Sequence, residues 1–196
     1  MSNDHELAIP THPARPSPVD ASASGAETLA IDPGLAVSII RVEEVADAEF
    51  YVGALFRDRF RGDPPDYPRH FVALYKATPN CFLTLGYIHF TVFEDVCLCG
   101  GLIEDRRVLM RMPAAEQNRI KAAGGVVAVM FHQTLPRMRH LPAVWAQAGE
   151  SDVRERFLDA GFAPLDDSFI LVKWNRDLPA SEREQRIARI KALGPF

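Results

Sequence analysis

The chain has 196 residues, a formal net charge of −4 and 47% hydrophobic residues. That suits one domain with a sizeable core, and the acidic balance argues for no nucleic acid partner, since nucleic acids call for a basic surface. No apolar run is long enough to cross a bilayer, and the N-terminus MSNDHELAIP lacks the apolar core of a secretory signal. The expectation is a cytoplasmic protein with no membrane partner. Three cysteines cannot all pair, and Cys97 and Cys99 share one strand face, as buried thiols do in a reducing compartment. A metal site from Cys81, His89, Cys97 and Cys99 is disfavoured because the C-x-C lies inside an apolar strand, so no metal is expected.

In chain order, residues 1–33 combine five prolines with Ser, Ala, Asp and Thr and have no hydrophobic period, so a disordered tail is expected. Leu35–Val42 reads as a β-branched strand. From Glu43 to Phe60, Val45, Ala48, Val52, Leu55 and Phe56 fall on one helical face, with acidic residues early and Arg57, Arg59 and Arg61 late. Gly62-Asp63-Pro64-Pro65 ends that helix. His70–Ala77, Cys81–Phe93 and Val96–Glu104 follow as strands joined by tight turns, which makes an antiparallel meander. On the middle strand Leu83, Leu85, Tyr87, His89 and Thr91 should share one face. A short polar helix, Pro113–Ala123, precedes an apolar helix, Val126–Leu135, that Pro136 should end or kink. Ala143–Gly149 reads as a strand, Glu150–Ala160 as a helix stopped by Gly161, and Phe169–Trp174 as a last strand. Ser181–Leu193 reads as a C-terminal helix opened by a Ser181/Glu184 capping box.

Two glycine pairs carry the functional reading. Gly124-Gly125 stands at the entry of the apolar helix, where uncovered backbone N–H groups and the helix dipole favour an anion such as a phosphate. Gly100-Gly101 lies inside a strand, where another backbone or an extended ligand can come close. The plainer alternatives are a turn between two helices and a β-bulge.

A meander followed by alternating helices and strands predicts an α/β (mixed α+β) fold: a mixed, mostly antiparallel sheet with helices on both faces. This layout resembles the GCN5-related N-acetyltransferase (GNAT) superfamily over residues 35–176, leaving 177–196 as a helical extension. Two patterns carry the resemblance: strand, glycine loop, helix at 96–135, and Phe157-Leu-Asp-Ala-Gly161-Phe162 before the strand Phe169–Trp174. The resemblance implies acetyl-CoA or another acyl-CoA as cofactor, with its pyrophosphate held by amides of the loop Lys121-Ala122-Ala123-Gly124-Gly125-Val126. The family's loop has Gln or Arg, two residues, Gly, one residue, Gly or Ala, directly after the fourth strand; here one Gly aligns, behind an inserted segment 106–123. Where the family often has a tyrosine that protonates the leaving thiolate, this chain has Phe157.

The implied chemistry is attack of an amine, on a small molecule or a peptide, at a thioester. It needs an oxyanion donor, a proton acceptor and a clamp for the pantetheine arm. The backbone at Leu102, Ile103 and Glu104 is the implied donor and clamp. Glu104 is the first choice of base, and His89 or Tyr87 the second; a solvated turn and a hydrogen-bonded core histidine are the bland readings of Glu104 and His89. His132, among apolar residues, reads as packing. Ser151 opens the next helix, where N-capping is favoured over contact with the cofactor. Three functions remain open: an acyl-CoA-dependent transferase, a catalytically silent acyl-CoA sensor of the same fold, and an interaction module without cofactor. A homodimer is compatible with each.

Overall fold

The computed structural model describes residues 39–166 and 169–196. The expected tail and the first residues of the strand expected at 35–42 lie outside them. Strand β1, Ile40–Val45, runs three residues past its expected end, because Glu43, Glu44 and Val45 pair with Val72, Phe71 and His70 of the neighbouring strand. Helix α1, Ala48–Phe60, therefore starts later than the period suggested. Asp47 caps it, its carboxylate accepting from the Phe50 N–H at 2.9 Å.

Strands β2 (Arg69–Thr78), β3 (Cys81–Phe93) and β4 (Val96–Glu104) form the expected antiparallel meander. The inserted segment folds as two helices, α2 (Arg106–Leu109) and α3 (Ala114–Ala122), ahead of α4 (Val126–Thr134). A 3-10 turn, Leu135–Met138, takes over where Pro136 forbids the α-helix to continue. Then come β5 (Ala143–Gln147), α5 (Ser151–Asp159), a two-residue β6 (Ala163–Pro164), β7 (Ile170–Trp174) and α6 (Ala180–Leu193). The capping box expected at Ser181 is absent: Pro179 occupies the cap position and α6 starts at Ala180.

Among the described residues the sheet has seven strands in the order β1-β2-β3-β4-β5-β7-β6, and β4–β5 is its parallel pair. The fold is the expected one: a mixed, mostly antiparallel sheet with helices on both faces. Helices α3, α4 and α5 bury Ile120, Val126, Met130 and Phe157 against Phe71, Phe90, Cys97 and Val144 on one face. On the other face α1 covers Val72, Tyr87 and Ile103, while Ile190 of α6 packs with Trp145 and Val172. Arg186 and Arg189 tie α6 to Asp95 in the β3–β4 turn at 2.6 and 2.9 Å.

Two bulges set which residues face where. Ala73 pairs with Gly86 but Leu74 pairs with Thr84, so Leu85 is skipped. A one-residue slip flips side chains across the sheet, and Leu85 joins Ile88 and Phe90 instead of sharing a face with Tyr87 as the alternation suggested. The second bulge lies between the pairs Tyr87↔Ile103 and His89↔Gly100, where β4 carries the extra residue. Gly101 there has φ +60°, a conformation that glycine adopts without penalty.

Candidate functional site

Strands β4 and β5 pair only at Leu98↔Trp145 and Cys99↔Ala146, so the β5-facing edge of β4 is unladdered beyond Cys99. A cavity of about 340 Å³ is lined there by Leu102, Ile103, Glu104, Val127, Val153 and Arg156. A larger one of about 880 Å³ follows α4, lined by Gly124, Gly125, His132, Arg139, Arg156 and Lys173 among others. Glu104 and Arg156 belong to both cavities. Among the predicted residues, Lys121, Val126 and the two glycines line the larger cavity, and Leu102 and Ile103 the smaller.

The Gly124-Gly125 pair does not offer its own amides. Gly125 N–H donates to Ile120 O at 2.8 Å and Gly124 N–H to Lys121 O at 3.0 Å, with Gly124 at φ +85°, which is a Schellman close of α3. The Ala123 N–H is likewise taken by carbonyls of Arg119 and Ile120, and Ala123 is fully buried. The expectation that the loop Lys121–Gly125 presents free N–H groups is therefore corrected. The donors that remain are those of α4's first turn, Val126, Val127 and Ala128: Gly125 is the N-cap and no side chain caps the helix. Arg156 stands beside them, its Nη1 donating to Gly124 O at 3.3 Å.

The Gly100-Gly101 pair is also accounted for within the chain. A Cβ at Gly100 would lie 2.8 Å from His89 Nε2, and one at Gly101 would lie 2.5 Å from His89 Nδ1. The space the glycines leave is filled by the His89 ring, so it is not open to a ligand. Tyr87 Oη lies 2.8 Å from His70 Nδ1 and 3.2 Å from His89 Nδ1. A phenol has one proton to give, so one imidazole accepts it at Nδ1 and the other donates from Nδ1. Burial lowers His89 to about 4, helped by the nearby His70, and burial lowers His70 as well. The Tyr87 hydroxyl is pushed up by burial. Both Tyr87 and His89 are neutral at pH 7, and neither lines the two cavities. They form a hydrogen-bonded network, buried at Tyr87 and His70 and half-buried at His89, set apart from both cavities.

Glu104 ends β4 with its carboxyl raised by burial, an effect that Arg106 and Arg156 oppose. It lines the larger cavity, as Gly124 and Gly125 do, and the smaller one as well. Ser151 is exposed and lines neither cavity; the cap of α5 is Glu150, and no side chain completes it. His132, expected to pack, is exposed and lines the larger cavity. Phe157 packs between Phe131 and Phe162, with ring centroids 5.1 and 5.0 Å away, and lines neither cavity. Arg156 escaped the sequence reading because nothing in ESDVRERFLDA sets it apart. Only the fold brings it back to a loop 32 residues earlier.

No family model matches the chain, and no curated protein does. Solved structures with a similar fold include the ribosomal-protein-S18-alanine N-acetyltransferase from Escherichia coli. It is 9% identical, with 72% of this chain and 97% of that one covered, at a TM-score of 0.45. A chain of the KacTA–DNA complex is 17% identical, covering 76% and 99%, at 0.42. AtaT complexed with acetyl-methionyl-tRNAfMet is 13% identical, covering 76% and 99%, at 0.36. Values this low leave the chemistry of this chain to its own residues. The expectation of no nucleic acid partner is nonetheless withdrawn, since chains of similar fold occur in complexes with DNA and with tRNA. Net charge sums over a whole chain, whereas nucleic acid reads a local surface. Among the described residues no helix is long and apolar enough to cross a membrane.

Proposed function

We propose that this chain is an acyl-CoA-dependent N-acyltransferase acting on an amine of a small molecule or a peptide. The observation that carries the reading is the parting of β4 and β5 after Cys99 beside the uncapped N-terminus of α4. The residues fit an acyl-CoA there. The amides of Val126, Val127 and Ala128, with Arg156 and Lys121, suit a diphosphate by dipole and charge. The unladdered edge at Leu102–Glu104 suits an extended amide-bearing arm and a developing oxyanion. When bound, acyl-CoA supplies the activated thioester carbonyl.

Glu104 is the proton acceptor in this reading. Burial raises its pKa toward the range a general base needs, and it stands between the two cavities. A second reading, an acyl-CoA sensor without turnover, is favoured by Phe157, which lacks a hydroxyl and is held in an aromatic cluster. Thioester consumption measured over a panel of amines separates the two. Turnover with any acceptor, lost in Glu104→Gln, supports the transferase; saturable acetyl-CoA binding with no turnover would leave the sensor.

A further inference from the structure

The smaller cavity, of about 340 Å³, has three arginines and three carboxylates in its lining, so its formal charge sums to zero. A polycation or a polyanion would gain from one set and be repelled by the other, whereas a molecule with one charge of each sign meets a partner for both. Four of the six groups already have work within the fold. Arg59, in the last turn of α1, donates from Nη2 to the two carboxylate oxygens of Glu150 at 2.6 and 2.5 Å, which ties α1 to the start of α5. Asp152 lies in the first turn of α5, where a carboxylate answers the helix dipole. Arg156 donates to Gly124 O at 3.3 Å and borders the larger cavity as well. That leaves Glu104, which closes β4, and Arg106, which opens α2. Among the described residues Arg106 has no carboxylate within ion-pair distance, yet it stands close enough to Glu104 to work against the burial that raises that carboxyl. An anion and a cation that face one cavity without touching leave room for a ligand that carries the opposite charges. An α-amino acid has that form, its ammonium nitrogen and carboxyl carbon about 2.5 Å apart across one tetrahedral carbon. Leu102, Ile103, Val127 and Val153 offer apolar surface to its side chain, and the volume lies at the low end of the range for small-molecule pockets.

We propose that the acceptor is a free α-amino acid, held with its ammonium against Glu104 and its carboxylate against Arg106. This rests on the acyl-transfer reading above and names the substrate class within it. The ammonium loses one proton to Glu104, and the nitrogen then bonds to the thioester carbon. The C–S bond breaks with its electron pair on sulfur, and the second proton shed by the nitrogen passes through solvent to that sulfur. The products are an N-acyl amino acid, free coenzyme A and one proton, which Glu104 returns to water. A peptide presents an amide where the free amino acid has its α-carboxylate, so Arg106 sets the two apart.

Acetyl transfer measured over the α-amino acids, and over the amide of each one accepted, tests it. The wild type should prefer acid to amide by about tenfold or more in kcat/KM, the worth of one charge-assisted contact. Arg106→Gln should erase that preference mainly through KM, and Arg106→Lys should restore part of it. Arg106 is exposed, so its variants should stay folded. Calorimetric titration of the accepted amino acid into protein saturated with coenzyme A, where no transfer occurs, should show the same loss of affinity in Arg106→Gln. Acid and amide used equally by the wild type, or a preference kept in Arg106→Gln, would overturn the proposal and leave the transferase reading standing. So would transfer confined to amines that lack a carboxylate. No transfer to any amine by protein that binds acetyl-CoA would remove the transferase reading and the proposal with it.

Discussion

Acidification should destabilise this protein through His89 before its arginine-paired carboxylates titrate. The imidazole is half-buried between Tyr87 and the Gly100-Gly101 bulge, and its pKa falls from about 6.5 in the unfolded chain to about 4 when folded. A depressed histidine pKa means that the folded state binds fewer protons. Its stabilising contribution is present above pH 6.5 and is lost as pH falls toward 4. A difference of about 2.5 units at 1.36 kcal/mol each is a loss of about 3 kcal/mol, good to order of magnitude. His70 shifts in the same direction and adds to it. Glu104, raised by burial, works the other way: its contribution is present at low pH and is lost as pH rises through its folded pKa. The carboxylates lowered by arginine partners, Glu44 and Asp95, lose their contributions only at still lower pH. Urea unfolding followed by circular dichroism from pH 7 to 4.5 should show the loss, and His89→Gln should flatten most of the slope. An unchanged slope in His89→Gln would refute the assignment.

The bulge offers a second test. Gly101→Ala meets a φ of +60° and a clash with His89 Nδ1. It should cost about 2–3 kcal/mol, roughly 1–2 from the left-handed backbone and 0.5–1.5 from the Tyr87–His89 bond. In a His89→Ala background the cost should fall to the backbone part, and equal costs would mean that the ring does not fill the glycine space. Glu104→Gln should reduce turnover by about 10²–10⁴-fold while coenzyme A affinity holds or rises, because a carboxylate leaves the vicinity of the phosphates; weaker binding would speak against that placement. Phe157→Tyr should lose about 1–3 kcal/mol of stability for an unpartnered buried hydroxyl and gain no rate. A gain would show that the hydroxyl reaches the thiolate.

Residue type and turn spacing were enough for most of the fold. Strand-favouring runs joined by tight turns located β2, β3 and β4, and an apolar run entered through Gly124-Gly125 located α4. The helical period missed the place where β1 gives way to α1, because pairing with β2 holds Glu43–Val45 extended against a helical pattern. Alternation misplaced Leu85, since a bulge is decided by the partner strand and leaves no mark in it. Both glycine pairs were visible as special positions, but their reasons were not. Gly124-Gly125 closes α3, and Gly100-Gly101 makes room for a ring from the next strand. Arg156, Arg139 and Lys173 could not be singled out among 22 basic residues, because only the fold gathers them around one cavity.

Calorimetric titration of acetyl-CoA into the wild type and Arg156→Gln tests the central claim most directly. Arg156 stands at the junction of the two cavities and is exposed, so its loss should leave the fold intact. The wild type should give saturable one-site binding, and Arg156→Gln should weaken it about tenfold or more, the worth of one charge-assisted contact to a phosphate. No binding of acetyl-CoA by the folded wild type, or equal affinity in Arg156→Gln, would contradict the site described here.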